Sequence, residues 1–148
     1  MPVVHKSIIA SYSAEQIYSL VTDVQSYPNF IAACSAGSID KVHDDGYTAT
    51  LAFALAGIGQ SFTTRNVAVP HESISMNLVK GPFKYLNGQW KFRQLGENAC
   101  KVEFELDYEF SLFFMNKLTK STFNKIAESM VDTFHAEAIR KFGSAANH

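Results

Sequence analysis

Between residues 100 and 112 the chain alternates without a slip. Val102, Phe104, Leu106, Tyr108, Phe110 and Leu112 fall on one side, and Lys101, Glu103, Glu105, Asp107 and Glu109 on the other. Successive side chains of an extended strand point to opposite faces, so this spacing makes a strand with one dry face and one wet face. Such a strand belongs to an antiparallel sheet that must be covered on one side, a demand that narrows the possible folds sharply. Leu86, Gly88, Trp90 and Phe92 against Asn87, Gln89, Lys91 and Arg93 repeat the pattern within 86–95. Further strands are expected at 38–43, 47–56, 60–69 and 73–80, with Asp44-Asp45-Gly46 as the turn between the first two.

Residues 3–10 are rich in β-branched side chains and read as a first strand. Ser13-Ala14-Glu15-Gln16 is a capping box, in which Gln16 reaches back to the Ser13 amide. Ile17, Leu20, Val21 and Val24 follow at helical spacing, which predicts an amphipathic helix over 14–24. Pro28 ends or redirects it, and 27–33 is expected to form a second short helical segment. No Pro or Gly interrupts 114–142, where Phe123, Ile126, Ala127, Met130, Phe134 and Ala138 form an apolar stripe; Gly143 suits the stop. The order β-α-α-β6-α predicts an α+β fold, a curved antiparallel sheet of about seven strands around one long C-terminal helix. With 148 residues and no repeat, low-complexity tract or linker, one domain over 1–148 is expected.

Thirteen basic and 14 acidic residues leave a net charge of −1, so bulk electrostatic attraction to DNA is not expected. Cys34 and Cys100 match no metal spacing and are expected to be reduced thiols. His5, His43, His71, His135 and His148 are dispersed, and G-x-S-x-G, Walker A and G-x-G-x-x-G are all missing. No catalytic residue, metal or cofactor is therefore expected, although an enzyme that works by shaping its substrate needs no such motif. The N-terminus has no apolar h-region and no run approaches the ~18 apolar residues of a membrane span, so the expected address is the cytoplasm.

In a simple meander, alternate connections share an end of the sheet. One end collects the polar turns 43–46, 70–72 and 96–98, and the other collects 56–59, 81–85 and 112–115, all apolar. Connections are ordinarily polar. Ile58, Pro82, Phe83, Tyr85, Phe113 and Phe114 are thus candidates for a ligand entrance that touches a membrane transiently, or else they fold inward and complete the core. Gly57 and Gly59 would let their loop move. Inside, the candidate ligand-binding residues are Phe53, Leu55, Phe62, Thr64, Met76, Leu78, Trp90, Phe92, Phe104, Tyr108, Phe110, Phe123, Ile126, Met130 and Phe134. These either line a cavity or simply fill it. On the strand over 60–69, either Thr64 and Asn66 face inward or Arg65 does, and a buried polar group needs a partner.

The segment from Leu20 to Phe30, LVTDVQSYPNF, followed by Cys34, resembles a stretch of the coenzyme-Q-binding START-like family, within the polyketide cyclase/dehydrase group. So does Gly81 to Phe92, GPFKYLNGQWKF, and the element order is similar over nearly the whole chain. The resemblance implies a helix-grip fold with an apolar cavity. It also implies two quite different jobs. One is carriage of a lipophilic molecule, ubiquinone or a related isoprenoid quinone, with peripheral contact at the inner membrane. The other is that of a bacterial ribosome-association toxin, for which Lys80, Lys84, Lys91, Arg93, Lys117, Lys120 and Lys125 are candidate contacts to the large subunit. A Pro-Trp pair commonly precedes the cysteine in this family; Ala32 and Ala33 stand there instead.

Overall fold

The computed structural model describes residues 3–55, 57–112 and 117–143. Seven strands form one antiparallel sheet: β1 (Val3–Ala10), β2 (Cys34–His43), β3 (Gly46–Leu55), β4 (Ile58–Val69), β5 (Ser73–Lys80), β6 (Phe83–Gly96) and β7 (Ala99–Phe110). Their order across the sheet is β1-β7-β6-β5-β4-β3-β2, so β2 to β7 form a meander and β1 closes it beside β7. Register slips at Cys34/Ala36, Ile39/Lys41, Thr63/Thr64, Phe83/Tyr85 and Gln94/Gly96 mark bulges. Bulges raise local twist and bend a strand, which is how a sheet this wide curls around its cover.

The alternation read over 100–112 is realised in β7. Val102, Phe104, Leu106, Tyr108 and Phe110 are buried, and Lys101 to Glu109 on the other face reach solvent. Leu112 departs from it: the strand ends at Phe110, and Leu112 is 83% exposed.

Helix α1 (Ala14–Thr22) begins at the expected capping box, with Ser13 Oγ accepting from the Gln16 amide at 3.1 Å and Gln16 Oε1 from the Ser13 amide at 2.9 Å. The Ala14 amide is taken by Gln94 Oε1 at 2.7 Å, which ties the helix start to β6. The short helical segment lies earlier than expected, as a 3-10 helix over Val24–Asn29. Its Tyr27 hydroxyl donates to the Val21 carbonyl, folding the segment back on α1.

The single long C-terminal helix is corrected to two, α2 (Lys117–Glu128) and α3 (Met130–Phe142). Ser129 makes the break. Its amide is shared between the Lys125 and Ile126 carbonyls at 3.1 and 3.2 Å, and its hydroxyl donates to the Ile126 carbonyl at 2.9 Å. A serine bonding back to its own helix competes with the ladder and bends it. Nothing flags that competition in an apolar stripe. Beyond the break, the Tyr12 hydroxyl donates to the Gly143 carbonyl at 2.5 Å and fastens the end of α3 to the β1–α1 connection.

Cys34 and Cys100 stand as buried free thiols. Burial pushes the Cys100 thiol up to about 11 and raises that of Cys34, which a backbone hydrogen bond at Ala36 partly offsets. Only the thiolate reacts, so a thiol-disulfide reagent at pH 8 should label the folded protein at least ~100-fold more slowly than the urea-unfolded chain. Equal rates would mean that the sheet and helices part readily. As pH climbs from the ordinary thiol value of 9.0 toward 11, the unfolded chain gives up a Cys100 proton that the folded one keeps. Stability measured by urea unfolding should therefore fall across that window.

Candidate ligand cavity

An apolar space of about 90 Å³ lies between the inner face of the sheet and the helices. That is several times the ~10–15 Å³ that admits one water, and well short of the ~300–1,000 Å³ usual for a ligand pocket. Its wall takes Tyr47, Ala49, Leu51 and Phe53 from β3, Phe62, Thr64 and Asn66 from β4, and Ile74 and Met76 from β5. Leu86 and Trp90 of β6 and Phe104 and Leu106 of β7 complete the sheet side. The cover comes from Val21, Val24 and Tyr27, and from Phe123, Ile126, Ala127, Met130 and Phe134 on either side of the Ser129 break.

Of the residues singled out from the sequence, Phe53, Phe62, Thr64, Met76, Trp90, Phe104, Phe123, Ile126, Met130 and Phe134 do line this space. Leu55, Leu78, Phe92, Tyr108 and Phe110 do not, and their placement as lining is corrected to packing. Phe92 lies toward the polar-turn end, edge-on to Tyr18 at 5.8 Å and parallel to Trp90. Leu55, Leu78, Tyr108 and Phe110 lie toward the opposite end, where the β3–β4 and β5–β6 turns are. Tyr27, Tyr47 and Asn66 are wall residues that the sequence reading left out of the lining, and alternation within β3 and β4 was the available signal for the last two.

The entrance also needs correcting. Pro82 and Phe83 are buried, not exposed at a mouth. The Phe83 ring meets Phe110 at 4.7 Å, Phe123 at 5.2 Å and Phe62 at 5.4 Å. Phe62 also meets Phe53 and Phe123, so aromatic rings stop up this end. Gly81 permits it: a Cβ there would sit 2.5 Å from Phe62 Cβ, so the turn closes down on the ring only without a side chain. Tyr85 lies on the opposite sheet face, where burial and the neighbouring Asp107 and Glu109 raise its hydroxyl pKa, Asp107 through a hydrogen bond as well as through its charge. Ile58 is 48% exposed and does stand at this end. Phe113 and Phe114 lie outside the described residues.

The polar choice on β4 is decided. Thr64 and Asn66 are buried and face the cavity, and Thr64 Oγ1 donates to Asn66 Oδ1 at 2.8 Å. Arg65 points the other way, gives Nη1 to the Asn66 carbonyl at 2.8 Å and pairs with Asp45 across the β3–β4 ladder. The titratable groups on the wall are two tyrosines. Burial raises both hydroxyls, Tyr27 strongly, and the Asn66 side chain works against the rise at Tyr47. Among the described residues no carboxylate, imidazole or amine faces the space, so they supply no acid–base pair there able to move protons at neutral pH. Among the described residues no cluster of His, Cys, Asp and Glu could hold a metal, and no helix is long and apolar enough to cross a membrane.

The basic residues do not form one patch. Lys91 and Arg93 lie on the outer face of β6, where Arg93 is in register with Lys101 of β7. Lys84 pairs with Glu109 at 3.6 Å. Lys117 and Lys125 are exposed on α2 with Lys120 half-buried between them, and the chain from 110 to 127 carries no acidic residue.

The ribosome association toxin RatA of Escherichia coli strain K12 is 43% identical over 138 residues, spanning 93% of this chain and 87% of that protein. The mitochondrial coenzyme Q-binding protein COQ10 of Drosophila melanogaster is 25% identical over 142 residues, 93% of this chain and 59% of that protein. A START superfamily protein from Mycobacterium smegmatis shares the fold, with a TM-score of 0.78 over 93% of this chain and 97% of its own, at 21% identity. Residues 10–135 match the family model for polyketide cyclase / dehydrase and lipid transport, and the chain, a START-like helix-grip protein, belongs to that family.

Proposed function

We propose that this chain acts on the ribosome by binding, not by catalysis. The observation that carries this is the 43% identity that runs through 93% of the chain to a relative named ribosome association toxin, against 25% to the coenzyme Q-binding relative. Supporting it is the stretch from 110 to 127, which carries Lys117, Lys120 and Lys125 and no acidic residue, with Glu128 at the far end of α2 the first carboxylate beyond it. Phosphate contacts release counterions, so binding of this kind weakens steeply with salt. Three contacts predict a loss of roughly 20- to 40-fold in affinity for large ribosomal subunits between 50 and 200 mM salt. Gradient sedimentation of the purified protein with those subunits reads it directly. The triple variant Lys117→Glu, Lys120→Glu and Lys125→Glu should lose co-sedimentation at low salt. Unchanged sedimentation in a folded triple variant would move the interface elsewhere, and no sedimentation of the wild type would end the reading.

A second reading rests on the cavity: the interior accepts an apolar guest. At about 90 Å³ the space holds no quinone ring with its isoprenoid tail unless the aromatic rings at the turn end give way. Trp90 is the only tryptophan and stands in the wall, so it reports any guest. Titration with a single-isoprene ubiquinone should quench Trp90 fluorescence to saturation, and Ala49→Ile, which fills the wall, should abolish that quenching. Linear quenching identical in both proteins would leave the interior closed to quinones.

A further inference from the structure

Two serines in this chain stand at the start of a helix with an acid or amide three residues on, and only one of them caps. At Ser13 the backbone is extended, with φ −69° and ψ 157°, and both reciprocal bonds with Gln16 form. Ser129-Met130-Val131-Asp132 offers the same kind of box to α3, with Asp132 in its first turn. Here φ is −91° and ψ −2°, in the helical region, and no side-chain bond from Ser129 reaches the α3 amides. The Ser129 hydroxyl donates backward to the Ile126 carbonyl at 2.9 Å, and its amide is shared by the Lys125 and Ile126 carbonyls. The Asp132 side chain is exposed and has no partner among the described residues.

The two uses of Ser129 exclude each other. Capping α3 needs ψ turned toward the extended value found at Ser13, and that rotation breaks both bonds of the Ser129 amide and swings α2 off the line of α3. The freed amide then finds its acceptor in the Asp132 carboxylate, and Ser129 Oγ accepts from the Asp132 amide. We propose that Ser129 is a two-position switch: α2 is seated while the hydroxyl bonds back to Ile126, and lifts as one unit when Ser129 and Asp132 close the capping box of α3. Lifting exposes Phe123, Ile126 and Ala127, a loss larger than one cap returns. The seated form therefore predominates, and the switch sets how often α2 leaves it. While α2 is seated, Lys120 is half-buried between the exposed Lys117 and Lys125; a lifted α2 offers all three lysines together. The switch belongs to the free protein and does not depend on the ribosome reading.

Native-state amide hydrogen exchange, followed by NMR, reads the lifting, since a segment that opens alone exchanges ahead of the rest. Amides in the last two turns of α2 should exchange together, at least ~10-fold faster than those of α3. Ser129→Ala should slow the α2 amides about fivefold and Asp132→Ala about twofold. The double variant should fall short of the roughly tenfold slowing that independent effects would give, because the box is reciprocal. In urea unfolding the same two substitutions should be additive, since the two side chains share no bond in the seated form. Both side chains are exposed, so neither substitution endangers the fold. One common exchange rate for α2 and α3 would make the helices a single unit, and full additivity in the exchange of α2 would leave Ser129 a fixed bend. Either result overturns the switch.

Discussion

One ring holds the helices to the sheet. Phe134 of α3 is 1% exposed and meets Phe30 at 5.2 Å, Trp90 at 5.3 Å and Tyr27 at 5.4 Å, all edge-on. Each such pair adds about 0.5–1.5 kcal/mol beyond the area it buries. The 3-10 segment, the centre of β6 and the last helix come from three well-separated stretches of the chain and converge on this ring. Once Phe134 is seated, α3 is fixed against α1 on one side and β1 on the other, and Tyr12 closes the arrangement at Gly143.

The elements of the fold were readable because each obeys a period. Alternation in β6 and β7, the Ser13–Gln16 box and the apolar stripe around Phe123 and Phe134 each report a local geometry directly. Properties that depend on what a side chain meets were not readable. Phe83 illustrates this: an apolar turn residue is consistent with an open mouth or with inward closure, and only the approach of Phe62, Phe110 and Phe123 decides for closure. The division of the inward aromatics follows the same logic. Phe104 and Tyr108 lie on the same face of β7 two repeats apart, yet the first borders the void and the second packs beyond it, its hydroxyl donating to Asn124 Oδ1 at 2.7 Å. Which rung of the ladder falls at the void is set by where the helices cross, and that is a tertiary fact.

The basic residues that the sequence offers as candidate contacts are scattered along the chain, and the structure keeps them apart: a strand alternates faces and a helix winds, so neighbours in sequence part in space. Lys84 is paired with Glu109 and Arg93 stands beside Lys101, while Lys117 and Lys125 are exposed along α2, whose one acidic residue is Glu128 at its end. The basic face and the cavity therefore meet in a single element: α2 presents Lys117 and Lys125 outward and Phe123, Ile126 and Ala127 inward.

The void has an energetic cost, and the cost bears on its meaning. At roughly 24 cal/mol per Å³, a space of about 90 Å³ lowers stability by about 2 kcal/mol relative to a filled interior. That is a sizeable share of the ~5–15 kcal/mol that holds a domain folded. Small residues keep it open. Ala49 and Ala127 stand in the wall where larger aliphatic side chains would reach across, and at Gly88 a Cβ would press within 2.6 Å of Met76 and 3.0 Å of Leu106, both wall residues. Filling such a gap is an easy route to a more stable protein. The gap is bordered by one small residue on each side, Ala49 on the sheet and Ala127 on the helix, so a larger side chain at either position would take up part of it.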